Sequence, residues 1–172
     1  EDKFWSRLEQ RKVIPDCVPR FARFDPFADD PRAQIDLDFP FWIKPIKAWR
    51  SQLGFHIRDA ADFATAIEVI RAHIERLSEP FNQLLSHLDL PPGIPGREGG
   101  FCIAEEIIGG HQCTLEGYSL DGEVTIYGIV DSIRYGNETT FSRYQYPSHL
   151  PAEVQERMIS KTRTLVRFLG LD

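Results

Sequence analysis

Two stretches of the 172-residue chain hold residue types able to do chemistry. The first is Phe41-Trp42-Ile43-Lys44-Pro45, a lysine inside an apolar and aromatic run. An ammonium is costly to bury unless it is paired. Lys44 therefore either faces solvent from an edge strand, as most lysines do, or stands in a cleft and meets a nucleotide phosphate. The second stretch is Phe101 to Gly117, FCIAEEIIGGHQCTLEG. Glu105 and Glu106 close an apolar run, and Ile107, Ile108, two glycines, His111 and Gln112 follow. One reading is a strand end with solvated acids and a glycine turn. The other is a hinge, where backbone groups read the edge of an adenine, apolar side chains sandwich the ring, and the glycines let the chain swing back.

These residues need elements to position them. Residues 2–12 read as a short helix with Phe4 and Leu8 on one face, ended by Ile14-Pro15. Residues 18–24 read as a strand, and the Asp- and Pro-rich residues 25–37 as a loop. Residues 39–46 form a strand bounded by Pro40 and Pro45. The stripe Phe63, Ile67, Ile70, Ile74, Leu77 predicts a core-facing helix over 59–77, with Asp59 as N-cap and Asp62 in its first turn. A second helical segment is expected over 80–88.

Residues 91–100 (PPGIPGREGG) read as a loop or linker between lobes. Strands follow at 101–106, 112–119 and 123–132, the last two joined by Leu120-Asp121-Gly122, a hairpin signal. Alternation puts Val124, Ile126, Gly128 and Val130 on one face, and Thr125, Tyr127 and Ile129 on the other. A fourth strand is expected at 139–146. The last helix runs over 151–169, with Val154, Met158, Leu165 and Leu169 as its buried stripe and Gly170 as its C-cap.

Bulk properties exclude several classes. Hydrophobic residues make up 42% and charged residues 27%, the balance of a globular protein. The net charge of -6 argues against a nucleic-acid partner, which calls for a basic face. No run of 18 apolar residues exists, so no membrane span is expected. The start, Glu-Asp-Lys, does not read as a signal peptide and carries no initiator Met, so the chain is expected to begin inside a longer, cytoplasmic protein. Three cysteines with no CxxC pair read as reduced thiols rather than a zinc site. The five histidines lack metal-ligand spacing, Asn137-Glu138-Thr139 reads as a chance sequon, and Arg20, Arg23 and Arg32 read as a solvated face.

The order of the segments carries a resemblance. Asp2-Lys3 precedes a helix; Ile43-Lys44-Pro45 comes next, with Ser51 and Gly54 after it; then come a helix, AEEIIGGHQCTLEG and Asp121-Gly122. This resembles the ATP-grasp superfamily, in which DK, vvKP with a small-residue loop, vEeyi-x-G-x-E-ysvEg and dG follow one another. The segment Tyr144 to Pro151 is similar to biotin-carboxylase-like and amino-acid-ligase-like members, and the chain as a whole resembles these or the carbamoyl-phosphate synthase large chain.

The resemblance implies roles. Lys3 and Lys44 would bind ATP phosphates, and Ser51 would lie in the loop that closes over them. Glu105 would sit where a backbone carbonyl meets the adenine amino group, Glu106 would flank the ring, and the Ile108 N–H would read a ring nitrogen. Gln112 stands where the family has a glutamate on the ribose. His149 would lie near the substrate mouth.

The sequence also departs from the pattern. The loop after Lys44 is not glycine-rich, so Lys47 and Arg50 would compensate with side-chain charge. The family's magnesium ligands, including a Glu-x-Asn pair, are expected beyond residue 172, so no metal ligand and no catalytic residue is assigned here. The implied fold is α/β (α+β): a connecting segment 1–37, a lid 38–104 and the first part of a larger antiparallel-sheet lobe 105–172, with ATP between the lobes. The implied function is that of an ATP-dependent carboxylate–amine ligase acting through an acyl phosphate, with ATP, Mg2+ and a small carboxylate as partners and a homodimer possible. The fragment alone is expected to be inactive. The alternative is a non-catalytic module with a degenerate nucleotide site.

Overall fold

A computed structural model describes residues 2–49, 52–90, 99–136 and 141–171. The chain divides into two compact units. One comprises Glu1–Leu8 and Val18–Ile108, the other Glu9–Cys17 and Gly109–Asp172.

The first unit is built on a four-stranded sheet. Its strands are β1 (Phe21–Phe24), β2 (Phe41–Pro45), β3 (Phe55–Ile57) and β4 (Cys102–Glu106), in the order β1-β4-β2-β3. Every pairing is antiparallel. Helix α2 (Ala60–Leu85) covers one face. Its Phe63, Ala66, Ile67, Ile70 and Ile74 form one core with Phe24, Phe41, Ile43, Ile57, Cys102 and Ala104. The spacing of the α2 stripe meets the every-second-residue alternation of the strands, which is what a helix packed on a sheet demands. Helix α1 (Lys3–Val13) begins in this unit.

Asp59 caps α2 as its type predicts, accepting from the Ala61 and Asp62 amides at 2.9 Å. The helix does not stop at Leu77. It continues through Pro80 to Leu85 as one element. Pro80 cannot donate to the Arg76 carbonyl, but both residues are exposed, so water can take that acceptor.

Strand β3 was not anticipated; three residues are too few to show a period. The loop over 25–37 is more ordered than its composition implied. Ile35 and Leu37 are buried, and the Arg71 Nε donates to the Pro26 carbonyl at 2.6 Å.

The arginines are not simply a solvated face. Arg32 donates to the Ile35 and Leu37 carbonyls and lies over the Phe39 and Phe41 rings. Arg23 lies over Phe4 and Phe101. Arg20 is exposed, beside Asp36.

The second unit holds a three-stranded antiparallel sheet of β5 (Cys113–Leu120), β6 (Glu123–Arg134) and β7 (Phe141–Gln145), in that order. Helix α3 (Ala152–Leu169) packs against β5 and β6. Asp121 (φ 50°) and Gly122 (φ 76°) turn the β5–β6 hairpin with two left-handed residues, the backbone that matches strand twist.

The expected faces of β6 are corrected. Glu116 pairs with Gly128 but Gly117 pairs with Ile126, so Tyr127 is an extra residue in a bulge. Parity flips there, and Val124 and Ile129 are both buried despite their odd spacing. The stripe of α3 is half-buried rather than buried, with Met158 Sδ 3.8 Å from Cys113 Sγ. Gly170, at φ 60°, ends α3 as expected.

Candidate functional site

The face of the first sheet away from α2 carries the polar residues. In β2 the pattern buries Phe41, Ile43 and Pro45 and leaves Trp42 and Lys44 on the other side. In β4 every residue from Cys102 to Glu105 is buried, because α2 covers one face and the start of α1 meets the other. Trp42 is paired with Glu105 and Lys44 with Ile103, so these four side chains share a face. Lys44 Nζ reaches diagonally to Glu105 Oε2, forming an ion pair. From α1, Arg7 Nε donates to Glu105 Oε1 at 2.6 Å.

Glu105 is thus a buried carboxylate, its side chain 7% exposed, with one cation on each oxygen. Burial pushes its pKa up, but the hydrogen bonds from Lys44 and Arg7 outweigh this and hold it below the usual carboxylate value. Lys44 remains 34% exposed, so its ammonium is both paired and reachable from water. The cluster of two cations and one anion carries a charge of +1, a setting suited to an anionic ligand.

The other expected residues are placed as follows. Lys3 Nζ donates to the Ala48 carbonyl at 2.5 Å and lies 3.4 Å from the Ile46 carbonyl, while its backbone N–H also bonds Ile46. Lys3 thus fastens the segment that follows β2. Ser51 and Arg50 lie outside the described residues. Lys47, expected to compensate with side-chain charge, is fully buried. Glu106 accepts from the Arg20 amide and donates its own amide to the Arg20 carbonyl. Ile108, 68% exposed, ends the first unit. Gln112 belongs to the second unit, where its Oε1 accepts from Arg134 at 2.7 Å.

Two residues of the cluster were not singled out from the sequence. Trp42 lies against His56, ring centroids 5.2 Å apart and planes tilted by 30°, and its period-two relation to Lys44 was the available signal. Arg7 lies three residues after Phe4, so a charge on that helix stripe was the clue.

The second unit has its own buried acid. Asp131 accepts from the Ser148 hydroxyl, from the His149 amide at 2.9 Å, and pairs with His111 Nε2 at 3.0 Å. The Ser148 and His149 hydrogen bonds, with a smaller contribution from His111, lower its pKa to about 2. The donors lie on the segment after β7, so this carboxylate ties that segment to β6. Among the described residues no group of three His, Cys, Asp or Glu side chains could hold a metal ion, so these residues do not fit the magnesium that the resemblance implies. No described helix is long and apolar enough to cross a membrane.

No family model matches the chain, and no curated protein matches it. Solved structures do. The chain is similar to the VanG D-Ala:D-Ser ligase of Enterococcus faecalis, with a TM-score of 0.68 and 18% identity over 98% of this chain and 45% of that one. It is similar to the L-amino acid ligase of Bacillus licheniformis, with a TM-score of 0.71 and 21% identity over 98% of this chain and 36% of that one. It is also similar to the ADP complex of purK, an N5-carboxyaminoimidazole ribonucleotide synthetase, with a TM-score of 0.68 and 14% identity over 99% of this chain and 38% of that one. The chain therefore spans less than half the length of each of these proteins. Its mixed α/β architecture, with two antiparallel sheets, is that of part of the ATP-grasp ligase fold.

Proposed function

We propose that this chain is the nucleotide-binding part of an ATP-dependent ligase, joining a small carboxylate to an amine or a related nucleophile through an acyl phosphate. The observation that carries the reading is the Lys44–Glu105–Arg7 cluster, a net positive group on a sheet face whose lysine is partly exposed. Lys44 would take a phosphate oxygen in a charge-assisted hydrogen bond. Lys3 would act on the phosphates as well, through the segment it fastens after β2. The backbone from Glu105 to Ile108 would read the adenine edge, with Glu106 flanking the ring and Gln112 on the ribose. Trp42, exposed beside Lys44, adds an apolar surface for the base.

The chemistry asked of the whole protein is phosphoryl transfer to a carboxylate, then attack on the acyl phosphate. Charge neutralisation at the transferred phosphoryl dominates such steps. This chain would supply cations for binding, and among its described residues no group of three His, Cys, Asp or Glu side chains could hold a metal ion. An isolated chain should therefore bind ATP without turning it over.

A second reading, a binding module with a degenerate site, is favoured by one observation. Gln112, at the position assigned to ribose, already accepts from Arg134. An ATP titration by calorimetry separates the readings. The ligase reading expects saturable binding that weakens at least about tenfold in Lys44→Ala, the loss of one charge-assisted contact of about 1.5 kcal/mol. Absence of saturable ATP binding by the full-length protein would sink it.

A further inference from the structure

We propose that Arg7 is a positioning residue that frees Lys44 to bind an anion, by holding Glu105 neutralised when the lysine turns away. The inference rests on the proposed role of Lys44 at a phosphate. Its ground is geometric: Glu105 is buried, each of its two oxygens has a different cation, and only one of these cations stands on the same strand face as Trp42.

With Lys44 alone as partner, a buried carboxylate would hold that lysine tightly. Moving the ammonium onto a ligand would leave a buried charge unpaired, which is strongly unfavourable. Arg7 removes that penalty. It comes from α1 rather than from the sheet, and its Nε bond to Oε1 does not depend on where Lys44 points. The pair Arg7–Glu105 is neutral by itself, so the Lys44 charge is left over for a phosphate. Among the described residues, Arg23 from β1, lying over Phe4 and Phe101, and His56 from β3, tilted against Trp42, also stand on this face. The carboxylate is met by Arg7 on Oε1 and by Lys44 on Oε2, so it is Arg7 that shares it with Lys44.

The first test uses the ligand-free chain. The Glu105 carboxyl carbon is titrated by NMR in wild type, Arg7→Met and Arg7→Lys. Removing the arginine should raise the midpoint clearly, and the lysine variant should stay near wild type. The second test measures ATP affinity in the same proteins, in Glu105→Gln, and in Arg7→Met with Glu105→Gln.

Arg7→Met should weaken ATP binding about tenfold, one order for one charge-assisted contact redirected. Binding should recover as pH falls and Glu105 protonates. In the Glu105→Gln background the arginine substitution should have little effect, since no carboxylate remains to hold Lys44. Arg7→Lys should bind nearly as wild type, which also shows that the fold survives a change at this site.

An unmoved Glu105 midpoint in Arg7→Met overturns the proposal whatever ATP does. Equal tenfold losses with and without the carboxylate also overturn it, since Arg7 would then act directly or only through the fold. A shifted midpoint with no ATP binding even in wild type would instead sink the nucleotide reading, and with it the purpose assigned here to Arg7.

Discussion

Lys44 and Glu105 meet diagonally across β2 and β4, Lys44 being in register with Ile103 and Glu105 with Trp42. The diagonal matters because it puts the carboxylate one step nearer the end of β4 than the lysine's own register partner, where Arg7 can reach its second oxygen. Both cations are therefore satisfied by one buried acid. Replacing Glu105 by Ala should cost about 3 kcal/mol at pH 7, because two cations lose a buried partner. Its folded-state pKa is depressed, so this stabilisation is present above the unfolded value near 4.3 and is lost as pH falls through the lower folded value. Urea unfolding at pH 7 and at pH 3 should show the gap between wild type and Glu105→Ala narrowing.

Asp131 gives a second acid limit, in the other unit. Its folded pKa of about 2 lies below the unfolded value near 3.9. Its contribution is complete above about pH 4 and disappears as pH drops towards 2. Asp131→Asn should lower the thermal midpoint at pH 7, since an amide cannot accept from Ser148, the His149 amide and His111 in the same way. The difference should shrink in melts at successively lower pH. A constant difference from pH 7 to pH 2 would contradict this account.

The hairpin turn makes a local prediction. Gly122 stands at φ 76°, where a Cβ is strained although nothing crowds it. Gly122→Ala should destabilise by about 1 kcal/mol. The same change at Gly100, which has neither positive φ nor a close neighbour, is the control and should be near neutral by the same melt.

Asp59 accepts two amides at the start of α2, a helix that supplies much of the first unit's core. Asp59→Ala should cost about 1 kcal/mol and Asp59→Ser much less. Circular dichroism during chemical unfolding measures both. Equal losses would mean that charge, rather than the capping geometry, is what counts.

What could be read from the sequence follows from period and type. The α2 stripe, the Asp59 cap, the Asp121-Gly122 turn and the Gly170 cap were all legible, because each rests on residues close along the chain. So was Lys44 as a residue of interest. Its partner was not foreseeable in the same way. Glu105 is 61 positions away, and its pairing needs the register of two strands that are not neighbours in sequence. Arg7 enters from a third element. The continuity of α2 from 77 to 80 was not legible, because the hydrogen bond that Pro80 forfeits lies on an exposed stretch that tolerates its loss. The bulge at Tyr127 misled because alternation carries no mark of a skipped pair. The burial of Lys47 was not legible either, since the loop after Lys44 has no period to mark an inward side chain.

That bulge behaves like a frameshift written into a strand. Upstream of Tyr127, even-numbered residues point to α3; downstream, odd-numbered ones do. Deleting that one exposed tyrosine would remove no core contact of its own. It would also leave the phase unchanged, since Gly128 would follow Ile126 and still oppose Glu116, and Ile129 and Asp131 would still face inward. A strand that kept Tyr127 but lost the bulge would instead turn Ile129 and Asp131 outward and leave the Ser148 hydroxyl and the His149 amide without their acceptor, so the bulge is what lets the second unit absorb an extra residue.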